Sequence, residues 1–430
     1  MPARLRRTRP SRTWLVDLGP LRDSRDFRLL FSGQLVSTLG TQLTAVAVPY
    51  QVFRITGSSL DVGLVSLAQL VPLIVCSMAG GVLADTHDRR RVLMATELLM
   101  AVASVGLALN GGLSRPALWP LFVLTAVQGG LAGFDRPTFN AAIPRLVRTS
   151  ELAAAYSLWQ VQFQLGIVVG PSVAGLVLAG RGVATVYWLD VASFVVSFVS
   201  VTLQRPQPPS DPQGRPPAWR SLREGFAYLR GRQNLQGVYL LDIDAMVFGM
   251  PRALFPALGL DFFHGGAEAV GFLYAAPGVG ALIGALTTGW VQSVRRQGRA
   301  VIIAVMVWGA AIAAFGLIDV LWIGLVLLAL AGWADVVSAV FRNTILQTAV
   351  PDHLRGRLSA IQIAVVQGGP RLGDLEAGAV ADGLGNAFSV VSGGVACVIG
   401  AVLLAAALPG FRHQETVDHE TVDQRAAPGH

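Results

Sequence analysis

Apolar segments about as long as a bilayer is thick follow one another along the whole chain. A helix needs about 20 mostly apolar residues to cross a membrane, and in lipid every backbone polar group must be satisfied internally, which favours helices. Segments of this kind lie at residues 27–53, 60–84, 92–112, 117–142, 151–178, 183–203, 235–262, 267–293, 300–317, 320–343, 357–381 and 386–408. The sequence therefore predicts an all-α integral membrane protein with twelve transmembrane helices.

The composition excludes a soluble protein of the same length. Of the 430 residues, 53% are hydrophobic and 14% are charged, whereas about a quarter of residues are charged in soluble domains. The chain contains no lysine, so it lacks the phosphate-binding loop that ATP-driven transport in one chain requires. Neither a catalytic triad nor a metal-binding cluster is recognisable. We therefore predict no enzyme, no bound cofactor, no metal site and no nucleic-acid partner.

The positions of the arginines predict the orientation in the membrane. Sixteen arginines lie in the connections on one side of the predicted spans, and only Arg54, Arg115 and Arg181 lie on the other. Short cytoplasmic loops collect positive charge. Both termini are therefore predicted to be cytoplasmic.

Three parts of the chain lie outside the predicted spans. Residues 1–26 are predicted to form a basic cytoplasmic tail, and residues 409–430 a disordered one. Residues 204–234 begin with a proline-rich run and continue as an amphipathic helix, in which Phe226 and Leu229 belong to the apolar face. That helix is expected either in the lipid headgroup region or packed beneath the body of the protein.

Three pairs of short motifs indicate an internal repeat. Val62 and Val270 are 208 residues apart, as are Gly81 and Gly289, and the motifs that start at Ile143 and Val350 are 207 apart. The offset predicts two six-helix halves, residues 27–203 and 235–408, in parallel orientation. This arrangement is that of the major facilitator superfamily.

The loop at residues 81–91, G-V-L-A-D-T-H-D-R-R-R, resembles the signature loop of that superfamily. Gly81, Asp85, Arg89 and Arg90 match it, while the chain departs from it at residues 86 and 88. The resemblance implies that this loop holds the two halves together on the cytoplasmic side in the outward-facing state. Physically, Gly81 is expected to allow close approach of another helix, and the arginines to bond helix C-termini or carboxylates. The alternative is a positively charged loop that only fixes orientation.

Asp135 and Arg136 lie near the cytoplasmic end of the fourth span. Asp135 resembles an acid that pairs with the signature-loop arginine in the superfamily. The resemblance implies one network of Asp85, Arg89 and Asp135.

The fifth span contains small residues about one turn apart, Gly166, Gly170, Pro171 and Gly175. They predict a groove for a closely packed helix. The motif resembles the glycine–proline motif of proton antiporters, although Leu176 stands where a second glycine is usual. Glycine-rich spans also occur in other helical membrane proteins, so antiport and simple packing both remain open.

Charged residues within the spans are costly, at about 2.5 to 3.5 kcal/mol each at mid-membrane unless paired or hydrated. All those that we single out belong to the second half. Arg371 and Asp374 are three residues apart and are expected to pair on one helix face. Such groups are either neutralised structural pairs or acids that face the cavity and bind a proton or a cationic substrate. The candidates are Asp242, Asp244, Arg252, Asp335, Arg342, Arg371, Asp374 and Glu376.

The first span is unusually polar, with Gln34 and Gln42 among its polar residues. Such residues suit a hydrated cavity for amphiphilic organic molecules. They would equally suit interhelical hydrogen bonds of about 0.6 kcal/mol each.

The opening F-R-L-L-F-S-G-Q-L-V-S-T-L-G and the later G-G-P-R-L-G-D-L are similar to the enterobactin-exporter-like branch of the superfamily. The resemblance implies a monomeric secondary transporter of the cytoplasmic membrane, in contact with lipids, that exports siderophores, antibiotics or other organic compounds in exchange for protons. The proton gradient is then the energy source. The alternatives are a proton-coupled importer of a nutrient and a receptor or scaffold of the same fold that no longer transports.

Overall fold

The computed structural model of the protein describes residues 17–208 and 218–414. Most of the predicted basic tail, the proline-rich part of the linker and the end of the C-terminal tail lie outside the described residues.

Long helices joined by short turns make up the described residues, and we number these helices α1 to α12. They are α1 Arg25–Thr56, α2 Ser59–Thr86, α3 Arg89–Gly111, α4 Trp119–Leu146, α5 Leu152–Arg181, α6 Val183–Thr202, α7 Gln233–Phe248, α8 Gly266–Thr287, α9 Gln297–Phe315, α10 Leu321–Ala349, α11 Asp352–Leu384 and α12 Asn386–Ala407. Shorter helices occur at Gly19–Asp23, Ala218–Leu229 and Pro409–Arg412.

The helix boundaries follow from local chemistry. The Ser24 and Ser58 side chains accept hydrogen bonds from the first-turn backbone N–H groups of α1 and α2, which satisfies donors that have no partner within the helix. Gly57, Gly182 and Gly385 adopt φ angles of 69°, 78° and 91°. Glycine adopts such angles without strain, so consecutive helices can reverse direction within a few residues.

Nine helical segments among the described residues are long and apolar enough to cross a membrane. Helices α1, α4 and α11 have 32, 28 and 33 residues but are interrupted by polar and charged side chains. These three helices carry several of the predicted site residues.

The seventh predicted span, residues 235–262, is not one continuous helix. Helix α7 ends at Phe248, and short helical turns at Arg252–Leu254, Phe255–Ala257 and Leu258–Phe262 follow. Pro251 lacks a backbone donor, and the Trp308 indole donates to the Gly249 carbonyl at 2.6 Å. The break therefore has a local cause in Pro251 and a tertiary one in the contact from Trp308 of α9.

Both predicted tails are partly ordered. Residues 19–23 form a helix before α1, and Phe411 is buried against Gly237 of α7. The Gly410 backbone N–H donates to Gln233 at 2.8 Å. The prediction of disorder from residue 409 was therefore wrong for residues 409–414, because Phe411 fills space beside a glycine.

The amphipathic linker helix, Ala218–Leu229, packs against α11. Glu224 forms an ion pair with Arg357 at 2.8 Å, and Leu229 joins a buried cluster with Tyr239 and Leu358. The linker helix was predicted to lie either in the lipid headgroup region or against the body of the protein. The structure shows that it packs against the body.

Helix pairings in the first six helices recur in the last six. In the first set α1 packs against α5 and α6, α2 against α4, and α3 against α4 and α6. In the last set α7 packs against α11 and α12, α8 against α10, and α9 against α10 and α12. The two sets meet through α2 with α11 and α5 with α8. Each pairing is its counterpart shifted by six helices.

The contacts between the two sets lie at one end of the molecule. A Cβ atom on Gly175 of α5 would lie 2.9 Å from the Gly271 Cα of α8, and one on Gly378 of α11 would lie 2.6 Å from the Ser59 carbonyl oxygen of α2. These glycines therefore permit backbone contact between helices. We call the opposite end, where α2 ends and α3 begins, the basic end.

At the basic end the two sets are apart. Gly81 of α2 and its repeat counterpart Gly289 have no atoms near the position of a Cβ. The neighbouring side chains of Val82 and Leu286 are 62% and 80% exposed. The structure is thus closed between the two sets at one end and open at the basic end.

Candidate functional site

The signature-like loop begins where α2 ends, and Asp88 starts α3. The Asp88 carboxylate accepts from the backbone N–H of Arg90 at 3.0 Å and from that of Gln207 at 3.1 Å. It is therefore both a helix cap and an attachment point for the linker. These contacts give a structural role to a position at which the chain departs from the superfamily signature.

Arg89 and Arg90 bind the end of α6 and the first residues of the linker. Arg89 is 3% exposed, and its guanidinium donates to the Pro208 carbonyl at 3.2 Å. Arg90 donates to the carbonyls of Val201, at 3.2 Å, and Thr202. Carbonyls at a helix C-terminus lack partners within the helix, so both arginines satisfy backbone groups at the basic end.

Gly81 does not make the expected close approach in this structure. Its neighbour Gly80 does, because a Cβ there would lie 2.6 Å from the Gly133 carbonyl oxygen of α4. Gly81 points to the open basic end instead, and Asp85 is half-buried in the last turn of α2.

Asp135 and Arg136 point to different partners. Asp135 accepts from Gln34 of α1 at 3.3 Å and from Thr96 of α3 at 3.1 Å. Arg136 donates to Gln367 of α11 at 2.9 Å and so connects the two sets of helices. The network of Asp135 with Asp85 and Arg89 stays a prediction.

The small residues of α5 face two different helices. A Cβ on Gly166 would lie 2.8 Å from the Thr38 methyl group, and one on Gly170 would meet Gln42, so both glycines face α1. Pro171 and Gly175 lie where α5 meets Gly271 of α8. The motif therefore packs within the first set at one end and across the two sets at the other.

A buried charged cluster joins α7, α10 and α11. The Arg342 guanidinium contacts Asp242 at 2.6 Å and Asp335 at 3.5 Å. Gln362 donates to the second Asp242 oxygen at 2.8 Å. Asp242 is fully buried, whereas the Asp335 side chain is 30% exposed. One arginine thus serves two carboxylates, of which one is accessible.

The predicted ion pair between Arg371 and Asp374 is not formed. Arg371 donates to the Gln367 carbonyl of its own helix at 2.6 Å, and Asp374 accepts from the backbone N–H of Ala253 at 3.0 Å. The broken segment after α7 presents that N–H to Asp374, so the carboxylate caps a turn instead. Among the described ion pairs none joins these two side chains.

The remaining candidates lie apart from the Arg342 cluster. Asp244 is buried against Gly400 of α12. The Arg252 carbonyl accepts from the Tyr274 hydroxyl at 2.9 Å, and its guanidinium lies 5.7 Å from that ring. Glu376 is half-buried on α11.

The expectation that the charged residues of the spans belong to the second half was wrong. Glu97 of α3 and Asp190 of α6 are 2% and 0% exposed. Asp190 accepts from Thr44 at 2.8 Å and Ser104 at 2.7 Å, and Glu97 accepts from Ser197 at 2.7 Å. A signal was available, because single acids inside apolar segments were as visible in the first half as in the second.

Comparisons with known proteins agree with this architecture. The chain belongs to the transmembrane secretion effector family of the major facilitator superfamily, whose family model matches residues 16–427. The enterobactin exporter EntS of Escherichia coli strain K12 is 33% identical over 401 residues, covering 93% of this chain and 96% of that protein. The enterobactin exporter EntS of Shigella boydii serotype 18 is 33% identical over 396 residues, covering 92% and 94%.

Solved structures share the fold at low identity. A bacterial homologue of the human lysosomal transporter Spinster, in an inward-facing and unoccupied conformation, gives a TM-score of 0.72 at 15% identity and covers 90% of this chain and 98% of that chain. The nucleoside transporter NupG gives 0.71 at 14% identity, covering 90% and 99%. The protein is therefore a membrane transporter of the superfamily and not an enzyme. Its apolar helices and the exporter relatives point to a multi-pass protein of the inner membrane.

Proposed function

We propose that the protein exports small organic molecules across the inner membrane by proton antiport, with alternating access to a central cavity. The observation that carries this proposal is the arrangement of the two helix sets, which touch at one end and are apart at the basic end. The 33% identity to enterobactin exporters supports a siderophore or a similar compound as substrate.

In this proposal the chain has twelve transmembrane helices in two parallel six-helix repeats, residues 27–203 and 235–408. The recurrence of the main helix pairings after a shift of six helices supports it. A repeat of this kind allows the two halves to rock about their shared contacts, α2 with α11 and α5 with α8.

The basic end is the cytoplasmic one in this proposal, and both termini lie there. The arginines of the connections support this orientation, because positive charge collects in cytoplasmic loops. The open cavity then accepts substrate from the cytoplasm, which is the first step of export.

Side chains of both halves provide polar contacts for an amphiphilic substrate. In the first half Gln34 donates to Asp135. The next residue, Arg136, donates to Gln367 of the second half. Asp335 adds an accessible carboxylate beside Arg342. In this proposal the cluster of Arg342, Asp242 and Asp335 binds substrate or protons. The proton gradient supplies the energy without a bound cofactor.

An accumulation assay tests the proposal. Cells that express the chain are loaded with enterobactin, a second siderophore or antibiotics, with and without an uncoupler of the proton gradient. We expect less accumulation than in cells without the chain, and only while the gradient stands. Accumulation that the chain raises would favour import, and unchanged accumulation of every compound would favour a receptor or scaffold.

The signature-like loop is tested separately. Asp85→Asn and Arg89→Ala are expected to abolish efflux while the protein still inserts into the membrane, because closure at the basic end uses this loop. The matched control is Asp382→Asn, an exposed acid at the far end of α11. Wild-type efflux in both loop variants would exclude the closing role.

A further inference from the structure

A line of buried polar side chains runs between α1, α3 and α6, within the first set of helices. None of its members is more than 6% exposed. We call this line the polar seam, and its members are Thr44, Gln51, Glu97, Ser104, Asp190 and Ser197. Ionisable groups within membrane spans are costly and mark functional sites, and nothing described so far gives the seam a function.

Asp190 lies at the centre of the seam and is fully buried. One carboxylate oxygen, Oδ2, accepts from the hydroxyls of Thr44 and Ser104 at 2.8 Å and 2.7 Å. The other oxygen, Oδ1, has no hydrogen-bond partner and faces Gly40 of α1, where a Cβ would lie 2.7 Å from it. One oxygen of the carboxyl group thus accepts two hydrogen bonds and the other accepts none, because the nearby Ser193 hydroxyl donates to the Asp190 backbone carbonyl at 2.7 Å instead.

Glu97 repeats this pattern on α3. Its Oε1 atom accepts from Ser197 at 2.7 Å, and its buried Oε2 atom has no partner. The other titratable groups near the two acids are Tyr187 on α6 and Asp135 on α4. None of these four groups carries positive charge.

The two acids differ from Asp242, the buried carboxylate that contacts Arg342, in having no cation. Among the described ion pairs neither Asp190 nor Glu97 takes part, whereas Asp242 contacts Arg342 at 2.6 Å. Burial without a cation favours the neutral acid, while the hydroxyl donors, two at Asp190 and one at Glu97, favour the carboxylate. Opposing effects of this kind let a carboxyl group gain and lose a proton, which a carboxylate held by an arginine does not do readily.

A hydrogen-bonded link leads from Asp190 toward α4. Ser104 donates to Asp190 and accepts from Gln128 of α4 at 3.0 Å. Gln128 is half-buried, as is Asp135 two turns further along the same helix. This hydrogen-bonded link thus connects α4 to the seam.

We propose that Asp190 and Glu97 form a proton-binding site within the first half, separate from the Arg342 cluster of the second half. The proton adds to the partnerless oxygen, Asp190 Oδ1 or Glu97 Oε2, and turns the carboxylate into a carboxylic acid. Its release restores the carboxylate. The role of this site in transport rests on the proposed antiport, whereas proton binding itself does not.

Infrared spectroscopy of the purified protein tests proton binding without any substrate. At neutral pH we expect a carbonyl band of protonated carboxyl groups that shifts in heavy water. Asp190→Asn and Glu97→Gln should each remove part of this band, and the exposed-acid variant Asp382→Asn should retain all of it. A full band in both seam variants, or no such band in the wild type at neutral pH, would overturn the proposal.

A milder variant keeps the test valid if Asp190→Asn does not fold. Ser104→Ala removes a hydroxyl donor that stabilises the carboxylate, so the Asp190 band should persist to higher pH than in the wild type. An unchanged titration of the band in a folded Ser104→Ala protein counts against the site.

Transport in proteoliposomes tests the role of the site, with enterobactin as the probe. Asp190→Asn should keep exchange of enterobactin across the membrane and lose accumulation driven by an imposed pH gradient. Gradient-driven accumulation equal to the wild type would overturn the role in coupling. If the wild type itself does not move enterobactin, the proposed substrate fails while the infrared result still decides whether the acids bind protons.

Discussion

Arg342 forms ion pairs with two carboxylates of the second half. It is buried with Asp242 and reaches the partly exposed Asp335, so its charge is shared between a fully buried carboxylate and an accessible one. Removal of one partner of a buried pair leaves an uncompensated charge, which costs about 3 to 5 kcal/mol. The stability of the second half therefore depends on this guanidinium.

Arg342→Gln is predicted to destabilise the protein by about 3 to 5 kcal/mol, because Asp242 then stays buried without a cation. The double variant Arg342→Gln with Asp242→Asn should recover much of that loss, since two neutral groups can bond each other. Thermal unfolding in detergent measures both, with Arg54→Gln, an exposed arginine, as the control. Equal losses in the single and double variants would contradict the account of this pair.

Asp88→Ala is predicted to cost about 1 kcal/mol, the usual effect of losing a helix cap. The variant also releases the Gln207 backbone from the start of α3. Thermal unfolding measures the loss, and Thr86→Ala, whose hydroxyl bonds only its own helix and His87, is the matched control. Identical melting of the two variants would show that Asp88 does not hold the linker.

The helices of the two sets cross closely where particular glycines allow backbone contact. The sequence predicted such a contact correctly for only some of these glycines. Gly175 was expected to allow close packing and meets α8. Gly81 was expected to do so and faces open space, because a motif does not say in which state a contact is made. The break after α7 and the ordering of Phe411 arise from tertiary neighbours, Trp308 and Gly237, which hydropathy cannot reveal.

Gly175→Val and Gly81→Val should therefore behave differently. The first overpacks the crossing of α5 and α8 and should cost about 1 to 3 kcal/mol. The second should leave stability unchanged here and disfavour closure at the basic end.

Spin labels at the exposed positions Thr86 and Ser293 measure that closure as a distance distribution. Gly81→Val should reduce the short distances, while Gly180→Val, at a site with open space around it, should not. A wild-type distribution in Gly81→Val would remove Gly81 from the closing contacts.

At the scale of the whole molecule, the fold follows from the sequence more fully than the site does. Length and apolarity of the segments predict membrane helices, and the superfamily match agrees. Glu97 and Asp190 are single acids inside apolar segments of the first half. The prediction named isolated acids of the second half alone and so omitted these two. Which acids pair with arginine and which do not depends on side-chain directions that spacing along a helix leaves open.

The central claim is exchange of an organic substrate for protons, and purified protein in liposomes tests it most directly. Liposomes are loaded with enterobactin and a pH-sensitive dye, then diluted so that the substrate gradient points outward. We predict that substrate leaving the liposomes drives protons inward, so the lumen becomes acidic. Substrate efflux that makes the lumen more alkaline, or that leaves its pH unchanged, would contradict antiport.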